Sequence, residues 1–438
     1  MLISIEEAFS DRVKRNGRFW THKVSKQHSL GVSVFFLCRS SPVIRKTDSA
    51  SPSPETVETI LTHAGRHPDD HFGFVNTPVF RGSTVLFKNL AALETEQQPY
   101  VYGRAGNPTT RQVEELITEL EGAYDTQLVP SGLAAITVAL LSCLSTGDEV
   151  LITDSAYNPT RNFALQFLDR MGITHRFYDP RIGAGIADLI GENTKAIFTE
   201  SPGSITFEIQ DLPAIVAAAK PRGVKVLIDN TWATPLFHSP LKLGADIVIH
   251  TATKMFVGHS DAFGGTISTT AEAWPDVAKT RALLGFFTGG DEAFLIARGL
   301  RTLAVRMKEH EQRAVEMATW LEGHPAVRRV IHPALESHPD HAIFKRDFTG
   351  SGSLFAAILH PQPHENLAAF VDNMELFGMG YSWGGYESLC IPSNPTKIRT
   401  ATTWTEDGTL IRLHIGFEGM SDLKRDLEAG LDRYLGKR

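Results

Sequence analysis

Hydrophobic positions follow two alternating patterns from about residue 107 onward. Asn107 is placed to cap a helix with Pro108 at its first position, and Val113, Leu116, Ile117 and Leu120 then share one face. Gly122 suits the end of that helix, and a second helix is expected to begin just after Ser131 and run to 144. Short runs that are apolar throughout follow at 150–152, 196–198, 224–228 and 247–249, with helical stretches at 161–171 and 212–220 between them. Strands without a polar face must be buried on both sides. The pattern therefore predicts an α/β fold with a mostly parallel sheet covered by helices.

Beyond Gly265 the rhythm changes. A long helical region, 276 to about 321, leads to a smaller α/β unit with strands expected at 353–359 and 410–415 and helices at 366–376 and 423–435. In open parallel sheets, ligands bind beyond the C-terminal ends of the strands. Three polar clusters sit there directly: Glu200-Ser201-Pro202, Asp229-Asn230-Thr231 and His250 to Lys254.

Length and charge narrow the possibilities. The 438 residues exceed what one core usually holds, so two closely packed domains are expected. A net charge of −7 argues against nucleic acid or an anionic membrane as partner. Cys38, Cys143 and Cys390 lie far apart and form neither a disulfide framework nor a zinc spacing, which suits a reducing compartment. No apolar run is long enough to span a bilayer. The N-terminus differs: from Arg12 to Lys46 there is no acidic residue, and a short apolar run at 30–38 is followed by Arg39, Arg45 and Lys46 rather than by a small-residue cleavage site. Residues 1–55 are read as a disordered extension on a cytoplasmic protein, with a transit peptide as the alternative.

The candidate chemistry centres on Lys254, at the end of a buried strand, where an ammonium would be costly. Thr251 and Thr253 just before it offer hydroxyls to a phosphate. Asp229 ends another strand. Ser131-Gly132-Leu133 opens a helix whose amides and dipole suit an anion, and Tyr157 follows a strand where an aromatic could stack on a ring. Each of these alone has an ordinary structural reading as a turn, cap or loop residue. The densest histidine clusters, His67-Pro68-Asp69-Asp70-His71 and His338-Pro339-Asp340-His341, match no zinc-ligand pattern, and no metal site is expected.

Taken together, Tyr102-Gly103-Arg104, Ser131-Gly132-Leu133-Ala134-Ala135, Glu200-Ser201-Pro202, Asp229-Asn230-Thr231 and Thr253-Lys254 occur in an order that resembles the Cys/Met-metabolism enzymes dependent on pyridoxal 5′-phosphate (PLP). The resemblance runs from about residue 62 to the C-terminus. It implies the fold type I PLP-dependent transferase architecture, with a large PLP-binding domain at 116–310, a C-terminal α/β domain at 311–438 and an arm at 56–115 reaching a neighbouring subunit. It also implies a homotetramer built from two active dimers. By the same resemblance, Lys254 is the Schiff-base lysine, Asp229 the partner of the pyridine nitrogen and Tyr157 the stacking ring. Gly132, Leu133, Thr251 and Thr253 would hold the phosphate, with Tyr102 and Arg104 supplied from the neighbouring subunit. Arg412 matches the arginine that grips the substrate carboxylate, a task for which a guanidinium fork is suited. Met255, where many members carry an aromatic, is a departure expected to affect packing.

The reaction must be read from the substrate side. Gly203-Ser204, Trp232, the run Gly258-His259-Ser260-Asp261 and, most specifically, Tyr381-Ser382-Trp383-Gly384-Gly385-Tyr386-Glu387-Ser388-Leu389 resemble the β-lyase branch of that family. The resemblance implies Tyr381 and Ser382 beside the catalytic lysine, and Ser382, Trp383 and Tyr157 against the substrate. The expected activity is that of a carbon–sulfur lyase: β-elimination of L-cystathionine to homocysteine, pyruvate and ammonia in methionine biosynthesis, with side activity on cystine and cysteine S-conjugates. A γ-synthase or γ-lyase of the same family is the nearest alternative, and a PLP-binding regulatory protein a more distant one.

Overall fold

The computed structural model describes residues 55–437, so the expected N-terminal extension lies almost wholly outside the described residues. The first expected helix forms as Pro108–Glu121. The Asn107 side chain accepts from the amides of Thr109 and Thr110, while the Thr110 hydroxyl accepts from the Asn107 amide, and Gly122 closes the other end. Val113, Leu116 and Ile117 are fully buried, as their common face requires.

Seven strands build the larger sheet: β1 (Asp125–Val129), β2 (Glu149–Thr153), β3 (Thr174–Tyr178), β4 (Thr194–Glu200), β5 (Lys225–Asp229), β6 (Ile247–His250) and β7 (Gly265–Thr269). Their order is β1-β7-β6-β5-β4-β2-β3. Pairs among β2 to β6 are parallel, and β7 alone runs against the rest, antiparallel to both β6 and β1. One face packs on helix Gly132–Cys143 through Ile136, Leu140, Ile152 and Phe198; the other packs on helix Leu212–Ala219 through Ile215, Ile197 and Ile228. Parallel strands all ending on one side bring Glu200, Asp229 and the residues after His250 to one edge.

A smaller antiparallel sheet comprises β8 (Val327–Ile331), β9 (Leu354–Leu359), β10 (Leu389–Ser393) and β11 (Thr409–His414), in the order β10-β11-β9-β8. It packs against helices Leu303–Glu322 and Met420–Tyr434. Two expectations change in detail. The long helical region is three helices, Trp274–Leu284, Gly290–Leu300 and Leu303–Glu322. The helix expected at 161–171 starts earlier as Asn158–Phe163 and continues through a widened π turn, Ala164–Leu168, where Phe163 stacks on Phe167 at 5.1 Å.

Trp232 lies between the two sheets rather than at the strand ends that converge on Lys254. Its indole donates to the Leu354 carbonyl at 2.8 Å, and its ring meets His332, Phe344 and Phe348 edge-on. His332 is completely buried there, its Nδ1 accepting from the Ala334 amide, and burial pushes its pKa down to about 3. The unfolded chain would protonate this ring near 6.5, so the stability it permits is present above that pH and is lost as pH falls toward 3. His332→Asn keeps an acceptor for the Ala334 amide at the position of Nδ1. The variant is expected to lose less stability than the parent between pH 6.5 and pH 4.5, by on the order of 1 kcal/mol per pH unit. Urea unfolding of both proteins across that range checks it, and parallel profiles would contradict it.

Candidate active site

Lys254 follows β6 on the loop His250–Gly258, whose first turn is closed by the Lys254 amide donating to Thr251 O at 3.1 Å. Its Nζ donates to Ser382 Oγ at 2.8 Å and stands 5.5 Å from the centre of the Trp383 ring. Burial, with the Arg412 charge adding to it and Asp229 opposing, pushes the lysine pKa down to about 8. An amine so placed is a usable base near neutral pH.

The segment carrying Ser382 approaches the lysine closely because of Gly384. With φ of +89°, and with an added Cβ falling 3.0 Å from the Lys254 carbonyl carbon, no other residue fits there without strain. His414 on β11 holds this stretch from below, its Nε2 lying 3.0 Å from Gly385 O and 3.3 Å from the Gly384 amide. Two positions earlier on β11, the Arg412 guanidinium donates to the carbonyls of Tyr381 at 2.9 Å, Gly380 at 3.3 Å and Ser382 at 3.4 Å. These are neutral acceptors. Burial lowers its pKa to about 10, and none of the ion pairs among the described residues uses it.

Asp229 ends β5 and is only 7% exposed. Its Oδ1 accepts the Thr231 amide at 3.0 Å, and burial raises its pKa above the ordinary carboxylate range despite the nearby Thr231, His250 and Lys254. A buried carboxylate contacted by hydrogen bonds from Thr231 alone has capacity for a cationic partner. Thr231 also accepts the Thr251 amide at 2.8 Å, joining the β5 and β6 loops; it was not among the expected site residues, because only the strand pairing brings the two loops together.

Ser131 caps helix Gly132–Cys143 through the Ala134 amide at 3.1 Å, leaving the Gly132 and Leu133 amides at the helix start without intrahelical acceptors. Gly132 is pressed onto Thr251 so tightly that a Cβ would fall 2.0 Å from its Oγ1. Free amides, a threonine hydroxyl and a helix N-terminus at one point make an anion cradle. Thr253 pairs its hydroxyl with the backbone of Gly264. Tyr157, 43% exposed, opens helix Asn158–Phe163, and its amide donates to Glu200 Oε2 at 2.7 Å.

Three further expected site residues have these contacts within the chain, Tyr102 and Arg104 being the two expected at a neighbouring subunit's phosphate. Tyr381 is 92% exposed, and its carbonyl accepts from Arg412. Arg104 donates to Ala282 O at 3.0 Å, and Tyr102 bridges to Thr84. Of the two histidine clusters, His67 pairs with Glu115, and Asp340 holds Arg181 and the Ile209 amide.

The residues present fit PLP: a lysine amine of lowered pKa, a buried carboxylate in none of the ion pairs among the described residues, an exposed aromatic face and an anion cradle belong to one set of strand ends. Comparisons with known proteins agree. Residues 58–432 match the model of the family described as "Cys/Met metabolism PLP-dependent enzyme". A Rhizobium johnstonii protein named "Putative cystathionine beta-lyase" is 47% identical over 378 residues, 85% of this chain and 95% of that one. Cystathionine beta-lyase MetC of Escherichia coli K12 is 41% identical over 389 residues, covering 86% of this chain and 98% of its own. Among solved structures, a cystathionine gamma synthase from Xanthomonas oryzae pv. oryzae, in complex with aminoacrylate and cysteine, superimposes with a TM-score of 0.82 at 32% identity, covering 88% of this chain and all of that one.

Proposed function

We propose that this chain, which belongs to the Cys/Met metabolism PLP-dependent enzyme family, is a carbon–sulfur lyase that catalyses β-elimination of L-cystathionine. The observation that carries the reading is that the 381–389 segment, whose motif resembles β-lyases, lies directly on Lys254 through Ser382 and Gly384. When bound, PLP supplies a carbonyl carbon with which amines exchange and an electron sink for charge developing at the substrate Cα.

The chain's own residues divide the remaining work. Lys254 would hold the cofactor covalently and, once released by the substrate amine, take the Cα proton with its neutral Nζ. Ser382 Oγ, 2.8 Å away, accepts a hydrogen bond from that amine and so orients its lone pair. Arg412, already fixed by the 380–382 carbonyls, presents the rest of its fork to the substrate α-carboxylate. Asp229 would keep a proton on the pyridine nitrogen, Tyr157 would stack on the ring, and Gly132, Leu133, Thr251 and Thr253 would hold the phosphate. Trp383 borders the substrate. Lys254, protonated by the first step, returns that proton to the departing sulfur. Homocysteine leaves, and the three-carbon enamine takes up water to give pyruvate and ammonia.

The same proposal includes a cytoplasmic role in methionine biosynthesis, side activity on cystine and other cysteine S-conjugates, a division into domains at 116–310 and 311–438, and a homotetramer. Support for assembly comes from the arm. Phe72, Phe74, Leu86 and Leu90 are exposed on it, an apolar surface that a partner subunit would cover while placing its Tyr102 and Arg104 at the phosphate. The likeness to a gamma synthase structure favours a γ-reaction as the second reading. Incubating the purified holoenzyme with L-cystathionine separates the two. Pyruvate and homocysteine in equal amounts are expected; 2-oxobutyrate and cysteine would establish γ-elimination instead.

A further inference from the structure

Glu200 ends β4, and the register sets it directly opposite Asp229 at the end of β5. Paired residues of parallel strands project from the same face with the strands about 4.8 Å apart. Two carboxyls thus share the edge on which Lys254, Thr251 and Tyr157 converge. Asp229 receives hydrogen bonds from Thr231 and faces Lys254 and His250. Glu200 has a different set of neighbours: its Oε2 accepts the Tyr157 amide at 2.7 Å, and Asp229 is the charged group acting on it.

We propose that Glu200 is a positioning residue that sets the Tyr157 ring against the cofactor by holding the Tyr157 backbone amide. Tyr157 is the residue immediately before helix Asn158–Phe163, and its own side chain makes no capping hydrogen bond. With φ of −48° and ψ of 131°, it stands where the chain turns from the loop after β2 into that helix. The Glu200 contact therefore fixes the backbone from which the phenol projects. A small rotation there would swing the ring off the strand ends.

The charge of Glu200 follows from its neighbour. Two adjacent carboxyls seldom both ionise unless each has a cation. Asp229 gains one in the cofactor ring nitrogen and Glu200 does not, so Glu200 stays protonated. Burial first, and Asp229 second, push its pKa well above the ordinary carboxylate range. A neutral carboxyl still accepts an amide hydrogen bond through its carbonyl oxygen. The hydrogen-bond acceptor matters, and the negative charge does not.

This inference rests on PLP being the cofactor but not on which sulfur bond is cleaved, so it is tested by signals independent of product identity. Glu200→Gln keeps a neutral acceptor; Glu200→Ala removes it while adding nothing to the strand end. The measurements are the visible circular dichroism of the bound cofactor, cofactor affinity by equilibrium dialysis, and kcat and KM of the holoenzyme on a sulfur amino acid. Glu200→Gln is expected to match the parent in all of them. Glu200→Ala is expected to lose most of the dichroic band and to drop kcat by about tenfold or more, with KM changed less. A Gln variant as impaired as the Ala variant would overturn the neutral-acceptor role. An Ala variant with an intact band and kcat would overturn the positioning role. Should the Ala variant fail to fold, Glu200→Met, which keeps the side-chain length without an oxygen acceptor, replaces it: the same losses are expected, and an intact band and kcat in it would overturn the positioning role.

Discussion

Replacing Lys254 by alanine is expected to lower kcat on L-cystathionine by at least about 10³-fold, the scale of a positioned proton-transfer group. The same change should leave the fold intact. Nζ contacts Ser382 Oγ and lies near the Trp383 ring, and burial already disfavours its ammonium form, so no ion pair is broken by its removal. Thermal unfolding of the apo variant should therefore match or exceed that of the parent, while turnover collapses. Lys254→Arg sharpens the reading, because a guanidinium keeps the charge but cannot be deprotonated to act as base. It should be as inactive as alanine.

The pH profile of the parent supplies a second reading of the same residue. A base must be neutral to take a proton, and the amine has been pushed down to about 8. The plateau rate kcat, which reports the substrate complex in which Lys254 is a free amine, should rise with pH and level off above that value, and should not follow the ordinary lysine range near 10.4. Small primary amines added to Lys254→Ala should restore part of the rate, since the missing group is an amine in a preformed space. An alanine variant retaining a tenth of the parental kcat would remove Lys254 from the chemistry.

The parts of this site that could be read from the sequence are those a single strand decides. Runs such as Val150-Leu151-Ile152 and Ile247-Val248-Ile249 announce strands because both faces are buried, and whatever follows such a strand stands at the binding edge. Lys254 and Asp229 were legible for that reason, and Ser131 because a helix cap has a local signature. Strand β1 was not legible. Its Asp125-Thr126-Gln127 looks polar, yet all three residues are buried, with Asp125 paired to Arg111 and Thr126 to Ser268. Edge strand β3 was hidden by its exposed Thr174 and Arg176, which alternate with more buried positions.

The joints between strands were equally invisible. Thr231 bridging to the Thr251 amide, and Glu200 standing opposite Asp229, depend on register, and a one-residue slip would separate both pairs. The direction of the exposed Tyr381 side chain was hidden for a related reason. Its neighbours Ser382 and Gly384 are pinned by Lys254 and His414, but nothing in the sequence says which way the residue before them turns. Motif spacing located the candidate residues; tertiary pairing decided which of their atoms face one another.

Asp229→Asn is expected to reduce kcat by roughly 10²–10³-fold, comparable to removing one preorganised electrostatic partner from an active site. The substitution isolates charge. An asparagine oxygen can still accept the Thr231 amide that Oδ1 holds at 3.0 Å, so the turn after β5 survives. Burial raises the Asp229 pKa, which means the apo protein keeps this carboxylate at a cost, and the neutral amide removes that cost. Stability and activity should therefore move in opposite directions: the apo variant unfolds at an equal or higher temperature than the parent, while turnover falls. Cofactor affinity should weaken as well, because the carboxylate loses its pairing with the protonated ring nitrogen. A carboxylate serving only the Thr231 turn would show neither loss, and an Asn variant with parental kcat would reduce Asp229 to that structural part.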